Sequence, residues 1–293
     1  MAALPEVIST PAVARGPWRE AWRVFLRNRA AVLGLVILVL IALVVVFGPV
    51  IYPVDPFDIV GAPMSPPGSP GTLLGTDYLG RDIVAGLVRG GRPTVVVGVC
   101  AALITALIGI TVGSLSGYYG GKVDRLLGRL VELFQVLPAL LFAMVLIALF
   151  SASAVTVTVA IGVVAWPSMA RLTRAEFLRI KQLDFVRAAR AIGASDARII
   201  LRTILPNALP PIMVSATLAT GTAILFQAGL AFLGLTDPNA MSWGLMIGSS
   251  RDYMREAWWS VTFPGVCIFL TVLAISLVGD GLNDAFNPKL RDR

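Results

Sequence analysis

Long apolar runs without a single charged side chain are the feature that most constrains this chain. Residues 30–54 form one such run and residues 93–121 form another. A membrane core about 30 Å thick is crossed by about 20 apolar residues in a helix. The chain is 57% hydrophobic and 14% charged, with a mean hydropathy of +0.83, whereas soluble domains are about 25% charged. The sequence therefore predicts an integral membrane protein.

The number of membrane spans follows from the lengths of the runs. Residues 133–170 are uncharged and would reach ~57 Å as one helix, which is too long for a single crossing. We therefore expect two spans there, with a turn at Ser151-Ala152-Ser153. Further spans are predicted at about residues 210–232 and 261–281. The expected fold class is an all-α membrane protein with six transmembrane helices.

The distribution of basic residues predicts the orientation. If both termini are cytoplasmic, 19 of the 24 Lys and Arg residues face the cytoplasm and five face outward. This split follows the positive-inside rule, and the inverted topology would violate it. The predicted organisation is the following: a cytoplasmic lead at 1–29, the first transmembrane helix at 30–54, an external loop at 55–92, a permease-like core of five spans at 93–283 with a cytoplasmic loop at about 171–209, and a cytoplasmic tail at 284–293.

The N-terminal lead combines aromatic and basic residues. Trp18 and Trp22 alternate with Arg19 and Arg23, as in a basic amphipathic helix on a membrane surface, although a plain cytoplasmic tail is the alternative. The apolar run that follows is too long for the h-region of a secretory signal, so we expect a retained first span.

Several classes of function are disfavoured by composition. The chain has no histidine, which excludes His-based zinc sites, Ser–His–Asp triads and histidine proton relays. Cys100 and Cys267 lie in apolar runs and form no CxxC pair, so we expect no metal site. The net charge of +7 comes from arginines that flank apolar runs, which indicates lipid headgroups and topology rather than nucleic acid.

The largest polar interruption is the stretch 184–211. Phe185, Ala188, Ala189 and Ile192 follow the i, i+3, i+4, i+7 spacing of one helix face. Gly193 then breaks the pattern, as a glycine at the C′ position of a helix would.

A second short helix is expected after this glycine. Ser195 can cap it, Asp196 lies in its first turn, and Pro206, Pro210 and Pro211 mark the approach to the next span. Two short helices at a glycine elbow suit a segment that docks into a cleft of another protein. An ordinary polar loop with helical pieces is the alternative.

This stretch resembles the EAA loop of ABC-importer permeases. The Ala-Ala, Gly and Leu-Pro positions of that pattern match, whereas Arg187 replaces its Glu and Thr203 replaces an Ile. The resemblance implies a coupling helix that sits in a groove of an ATPase subunit. The residues it assigns to ATPase coupling are Phe185, Arg187, Ala188, Ala189, Ile192, Gly193, Ala194, Ser195, Asp196, Leu205 and Pro206.

A second resemblance is found in the predicted external loop. The run Gly75-Thr76-Asp77-Tyr78-Leu79-Gly80-Arg81-Asp82 is similar to the Gly-Thr-Asp-x-x-Gly-Arg-Asp signature of the C-type permease in dipeptide, oligopeptide and nickel importers. The tail, residues 284–291, resembles the Asp-x-x-Asp-Pro-Arg ending of the same family. Arg81 lies between Asp77 and Asp82 and could pin the loop by charged hydrogen bonds, or it could contact substrate.

Two further groups of residues are candidates within the spans. Gly109, Gly113 and Gly117 recur every fourth residue, a spacing that lets helix backbones approach closely in lipid. Glu132, Gln135 and Gln227 are intramembrane polar candidates. For Glu132, pairing with an arginine such as Arg129 is the alternative to a functional role.

The resemblance implies a six-span permease subunit of a peptide-type ABC importer, with a type I importer fold, in the inner membrane of a prokaryote. It implies a sister permease, two ATPase subunits and an external substrate-binding protein as partners. Gly121-Lys122 lacks the rest of a phosphate loop, so this chain should bind no cofactor, and ATP and magnesium should bind on the partners. The alternative functions are an ion-gradient-driven secondary transporter and, less favoured, a membrane-embedded enzyme.

Overall fold

The computed structural model describes residues 17–286 of the chain, and it describes side chains from Trp22 onward. The side chains of Trp18 and Arg19 and the tail residues 287–293 lie outside this range. Within it the secondary structure is helical, with two isolated β-bridges and no β-strand.

The described part of the chain contains eleven α-helices, one π-helical segment and one 3-10 turn. They are α1 (Pro17–Arg27), α2 (Arg29–Ile51), α3 (Ile83–Tyr119), α4 (Gly121–Val136), α5 (Ala139–Phe150), α6 (Ala154–Ile180), α7 (Asp184–Ala191), α8 (Asp196–Arg198), the π-helical segment (Ile199–Ile204), α9 (Leu205–Phe232), α10 (Trp243–Ser250), the 3-10 turn (Arg251–Tyr253) and α11 (Trp259–Phe286).

Within residues 17–286, five helical runs are long and apolar enough to cross a membrane: α2, α3, α6, α11 and the continuous run Asp196–Phe232. The pair α4 and α5 makes a sixth span if it counts as one crossing, and it bends by 88°. Leu137 and Pro138 adopt extended backbone at this bend, as expected because proline disfavours helical geometry in the residue before it. The prediction of an all-α membrane protein with several spans is confirmed.

The centre of the fold is the close pair of α3 and α6. At Gly109 a Cβ atom would lie 2.6 Å from the Met169 Cγ, and at Gly117 it would lie 2.6 Å from the Phe177 Cβ. Gly113 packs in the same way against Ala170 and Thr173. The predicted glycine row therefore lies where the backbones of α3 and α6 approach, a contact that favours helix association in lipid.

The two ends of α3 lie at opposite ends of the molecule. Asp82 caps its first turn by accepting a hydrogen bond from the Val84 N–H (3.0 Å), next to the loop of residues 52–82. At 1.5 Å per residue its 37 residues span ~55 Å, so Tyr118 at the far end meets a different set of elements. These elements are α7, α8 and the end of α6.

The first two helices pack along α11 at the edge of the bundle. Phe25 and Ala31 are buried against Ala285. Asn28 caps α2 through its side-chain oxygen, and its amide nitrogen donates to the Asp284 carboxylate (2.9 Å). Trp22 stays 56% exposed beside Phe25, on the surface that the sequence predicts to meet lipid.

Candidate functional site

The elbow segment, residues 184–204, begins with helix α7 and a complete glycine cap. Gly193 has φ +79°, a left-handed conformation that glycine adopts without steric cost. Its N–H donates to the Arg190 carbonyl (3.0 Å), and the Ala194 N–H donates to the Ala189 carbonyl (3.1 Å). These two bonds form a Schellman motif, which ends α7 and turns the chain.

The second arm of the elbow differs from the sequence prediction. The sequence predicts a short helix after Gly193 and a separate membrane span that begins near Pro210. Instead α8 continues through the π-helical segment into α9 without a break, and Pro206, Pro210 and Pro211 lie inside α9. Pro206 lies directly after the π-helical segment, at the second residue of α9. Ser195 precedes α8, but its side chain makes no capping bond.

The elbow segment is fastened to the end of α3 by polar contacts. The Tyr118 hydroxyl donates to the Asp196 carboxylate (2.5 Å), and the Arg190 guanidinium lies over the Tyr118 ring at 5.8 Å from its centroid. The Lys181 ammonium donates to the Gly117 carbonyl (2.7 Å), near the C-terminal end of α3. Sequence reasoning missed Tyr118, because nothing in the apolar pattern of its span relates it to Asp196.

The apolar residues of the elbow segment divide into a buried set and an exposed set. Val186, Ile199 and Ile204 are buried in one cluster with Phe177 and Tyr118. By contrast, Phe185 is 45% exposed and Ile192 is 85% exposed, and both belong to the face that the sequence predicts for docking. The elbow is therefore anchored by one side and presents apolar side chains on the other.

A basic surface lies where the elbow segment meets the end of α3. Arg187 is largely exposed and pairs weakly with Asp184 across a 3.6 Å gap. A cavity of about 510 Å³ opens beside it, and the charged residues that line it are three basic groups and one acid. They are Lys181, Arg187, Arg190 and Asp196. The remaining predicted coupling residues, Leu205 and Pro206, begin α9.

At the opposite end of α3, the signature loop, Gly75–Asp82, is fixed by hydrogen bonds. Thr76 is fully buried; its hydroxyl donates to the Ala62 carbonyl (2.7 Å), and its own carbonyl accepts from the Trp259 indole N–H (3.0 Å). Gly75 and Gly80 both have φ +82°. The loop is therefore a rigid turn held against the start of α11.

The two aspartates of the signature loop, Asp77 and Asp82, accept hydrogen bonds from backbone N–H groups. One Asp77 oxygen, Oδ1, accepts from the N–H groups of Leu79 (2.8 Å) and Arg81 (2.9 Å). Asp82 accepts from the Tyr52 hydroxyl as well as capping α3. Burial raises the pKa of Asp77 above its usual value, and the bonds from the backbone and the nearby Arg81 charge oppose this shift. The bond to Asp82 raises the pKa of Tyr52 to about 12.

Arg81 does not make the contacts that the sequence predicts. Among the described residues its guanidinium forms no ion pair with Asp77 or Asp82, and the Asp77 Oδ1 accepts from backbone N–H groups, including that of Arg81. Its guanidinium lies over the Phe57 ring at 5.2 Å from the centroid, and its buried Nε has no hydrogen-bond partner.

Arg81 also lines a cavity of about 370 Å³, which we call the loop-end cavity. The signature loop forms one wall and the region around α10 forms the other. The walls include buried Ile83, Met246 and Ser260 as well as Asp77 and Arg81. The sequence offered no sign of this cavity, because its two walls are more than 150 residues apart.

Two of the three intramembrane polar candidates, Glu132 and Gln135, line one cavity of about 500 Å³, and Gln227 lies elsewhere. Gln135 accepts from the Arg171 guanidinium (3.3 Å), whereas Glu132 forms no ion pair with Arg129 among the described residues, which contradicts the expected anchor. Gln227 is 2% exposed, and its side-chain oxygen has no hydrogen-bond partner.

The ion pair that does hold this region was not predicted. The Arg174 guanidinium donates two hydrogen bonds to the Asp124 carboxylate, at 2.5 and 2.7 Å, and so joins α6 to α4. In residues 17–286 no group of three or more acidic, Cys or His side chains is arranged to hold a metal ion.

Comparison with known proteins identifies the family. A family model described as "Binding-protein-dependent transport system inner membrane component" matches residues 109–292, and one described as "N-terminal TM domain of oligopeptide transport permease C" matches residues 16–67. The chain is 41% identical to the dipeptide transport system permease protein DppC of Escherichia coli K12, over 98% of this chain and 97% of that protein. It is 38% identical to the di/tripeptide transport system permease protein DppC of Pseudomonas aeruginosa, over 94% of this chain and 93% of that protein.

A solved structure shares the fold. The inward-facing MetNI methionine ABC transporter matches with a TM-score of 0.58 and 24% identity, over 67% of this chain and 93% of that chain. This likeness confirms the predicted importer-permease fold, and the apolar helices together with the bacterial relatives place the chain in the inner membrane as a multi-pass protein. The chain belongs to the family of binding-protein-dependent transport system inner membrane components, the membrane permeases of ABC importers.

Proposed function

We propose that this chain is the permease subunit of an ATP-driven importer of peptides and forms half of the translocation pathway. A sister permease forms the other half as a heterodimer, two ATPase subunits supply the energy, and an external binding protein delivers the peptide. The peptide substrate is supported by the relatives that cover nearly the whole chain, which are named for dipeptide, di/tripeptide and oligopeptide transport.

The elbow segment is the observation that carries the proposal. It combines exposed Phe185 and Ile192 with a basic surface around Arg187, and it is bonded firmly to α3 and continuous with α9. A docking element needs an exposed surface that the partner binds. It also needs a firm attachment to the membrane helices, because this attachment transmits the displacement. We assign the ATPase subunit to the exposed side.

The basic surface indicates the chemistry of the ATPase groove. Three basic side chains surround the cavity beside Arg187, against the single carboxylate of Asp196. A complementary groove would carry acidic residues, since opposite potentials favour association and exclude wrong partners. The family's Glu at this position would favour the reverse arrangement, so Arg187 is a specificity feature of this chain.

ATP hydrolysis is assigned to the partners. The chain lacks a complete phosphate loop, and we propose that it is not an enzyme and binds neither ATP nor magnesium itself. Moving a pathway from mostly inward-open to mostly outward-open takes ~5 kcal/mol of differential binding. Closure of the ATPase dimer is therefore the proposed source of energy.

Co-purification tests the proposal directly. The tagged chain, expressed with its companion subunits, should bring down an ATPase, and peptide uptake by the reconstituted complex should stop without ATP even when an ion gradient is intact. Uptake by the purified single chain under a proton or sodium gradient would instead establish the secondary transporter.

Labelling tests the predicted orientation. A cysteine introduced at exposed Ser195 should react with a membrane-impermeant maleimide from the cytoplasmic side only, with the unsubstituted chain as the background for Cys100 and Cys267. Labelling of Ser195→Cys from the outer face of intact cells would overturn the assignment of the elbow segment to an ATPase.

A further inference from the structure

The loop-end cavity contains a cation, Arg81, that forms no ion pair with the described residues. Arg81 is half-buried, its Nε is shielded from solvent, and no oxygen among the described residues accepts a hydrogen bond from its guanidinium. Phe57 supports one face of the guanidinium. The Nε of Arg81 is buried without a hydrogen-bond partner, and an unsatisfied buried donor is costly, so another molecule that completes the site would relieve this cost.

The neighbouring aspartates form no ion pair with Arg81 among the described residues, although the Arg81 charge acts on Asp77 from a longer distance. The Asp77 Oδ1 and both Asp82 oxygens already accept hydrogen bonds from other groups, as described above, and neither carboxylate lies within ion-pair distance of Arg81. The free Asp77 oxygen, Oδ2, accepts no hydrogen bond from the described residues and is not among the buried unpartnered atoms. The cavity therefore presents one unpaired cation and one accessible carboxylate oxygen.

The cavity itself is sized and lined for a small molecule. Its volume of about 370 Å³ lies near the lower limit of ligand pockets, which run from roughly 300 to 1,000 Å³. Buried Ile83, Met241 and Met246 contribute apolar wall, while Asn239 and the hydroxyls of Ser250 and Ser260 contribute polar groups. This mixture suits a short peptide better than a lipid chain or a lone inorganic ion.

We propose that the loop-end cavity is a subsite for a short zwitterionic peptide, with the Arg81 guanidinium binding its free α-carboxylate. The planar guanidinium can donate two parallel hydrogen bonds to a carboxylate, a charge-assisted contact that adds both energy and geometric specificity. The subsite lies at the end of α3 remote from the elbow segment, on the side where a binding protein would release peptide. The inference rests on the proposed function for the supply of peptide.

Direct binding to the complete permease complex tests the subsite without the binding protein. In lipid nanodiscs, saturation-transfer NMR should detect alanyl-alanine on the wild-type complex, and a titration gives its dissociation constant. Arg81→Gln should weaken this binding at least about tenfold, the loss expected for a charge-assisted hydrogen bond. Arg255→Gln, which changes an exposed arginine at the same end of the protein, should leave the affinity unchanged.

The ligand provides a second test that needs no variant. Alanyl-alanine amide lacks the free carboxylate, so it should bind the wild-type complex at least about tenfold more weakly than the acid, and Arg81→Gln should not weaken it further. If the Arg81→Gln complex failed to assemble, the affinities of the acid and the amide for the wild-type complex would still test whether the subsite binds the α-carboxylate. Equal affinity of acid and amide, or absence of any dipeptide signal, would overturn the subsite.

A carboxylate of the binding protein is the competing occupant. If Arg81→Gln weakens docking of the binding protein while dipeptide affinity stays constant, Arg81 belongs to a protein interface and the subsite is refuted. ATP-dependent uptake by the wild-type complex is measured in parallel. Normal uptake together with no effect at Arg81 refutes the subsite alone, whereas absence of ATP-dependent peptide uptake refutes the proposed function.

Discussion

The left-handed backbone at Gly193 allows a graded test of the elbow. A Cβ atom built at this position meets no atom within 4 Å, so a substitution there acts through the backbone and not through a steric clash. A non-glycine residue in this conformation costs about 1–2 kcal/mol, a β-branched residue costs up to about 3, and asparagine costs least. We therefore expect disruption of the Schellman motif to increase in the order Gly193→Asn, Gly193→Ala, Gly193→Val.

The consequence should appear in the coupling ratio, the number of ATP molecules hydrolysed per peptide transported. A penalty of about 2 kcal/mol changes the ratio of formed to broken elbow roughly thirtyfold. When the cap at Gly193 opens, α7 loses its fixed angle to α8 and can no longer transmit displacement. Gly193→Val should therefore raise the coupling ratio strongly, while Gly193→Asn stays near wild type.

The assay uses the complete complex in proteoliposomes, with ATP hydrolysis and uptake of labelled dipeptide measured in the same preparation. The amount of ATPase that co-purifies with each variant separates loss of docking from loss of transmission. A wild-type coupling ratio in Gly193→Val would refute the role of the elbow. An equal rise of the coupling ratio in all three variants would show that the defect does not follow the backbone strain of the substituted residue.

Three further predictions follow from contacts of the same elements. Tyr118→Phe removes the hydroxyl bond to Asp196 and keeps the ring under Arg190, so it should raise the coupling ratio without reducing ATPase recovery. Arg187→Glu reverses an exposed charge and should weaken ATPase affinity about twofold to fivefold, measured by titration at low salt; unchanged affinity would place Arg187 in solvent. Gly113→Ala forces α3 away from α6 and should lower the melting temperature by an amount equivalent to about 1–3 kcal/mol. Gly128→Ala is the control: its Cβ meets no atom within 4 Å, so it should not lower the melting temperature.

Local patterns in the sequence predict the parts of this protein that depend on local geometry. The spacing of Gly109, Gly113 and Gly117 indicates a close helix contact, and the structure supplies α6 as the partner. Gly193 follows eight residues with amphipathic helical spacing, 185–192, and so indicates a helix end. The structure forms a Schellman motif there. Both features are set by residues within a few positions of one another, so periodicity and backbone preference are enough.

Contacts between distant segments are what the sequence does not predict. The Tyr118–Asp196 bond joins residues 78 apart, and the Trp259–Thr76 bond joins residues 183 apart. Arg81 illustrates the same limit at short range. Its neighbours suggest an ion-paired arginine, yet the guanidinium lies over the Phe57 ring and forms no ion pair among the described residues. The order of charged residues along a chain does not determine which donor bonds to which acceptor in the folded protein.

The two sites proposed for this chain are the two ends of one rigid unit. Asp82 caps the start of α3 beside the loop-end cavity, and Tyr118 near its end bonds to the elbow segment. Between them, the glycine row packs α3 against α6 so closely that the pair is expected to move together. A displacement of the elbow by an ATPase must then either break the Tyr118–Asp196 bond or move the wall that carries Arg81. Peptide seated at one end and nucleotide-driven closure at the other would thus bias the same two-state element, which is the physical requirement for coupling between distant sites.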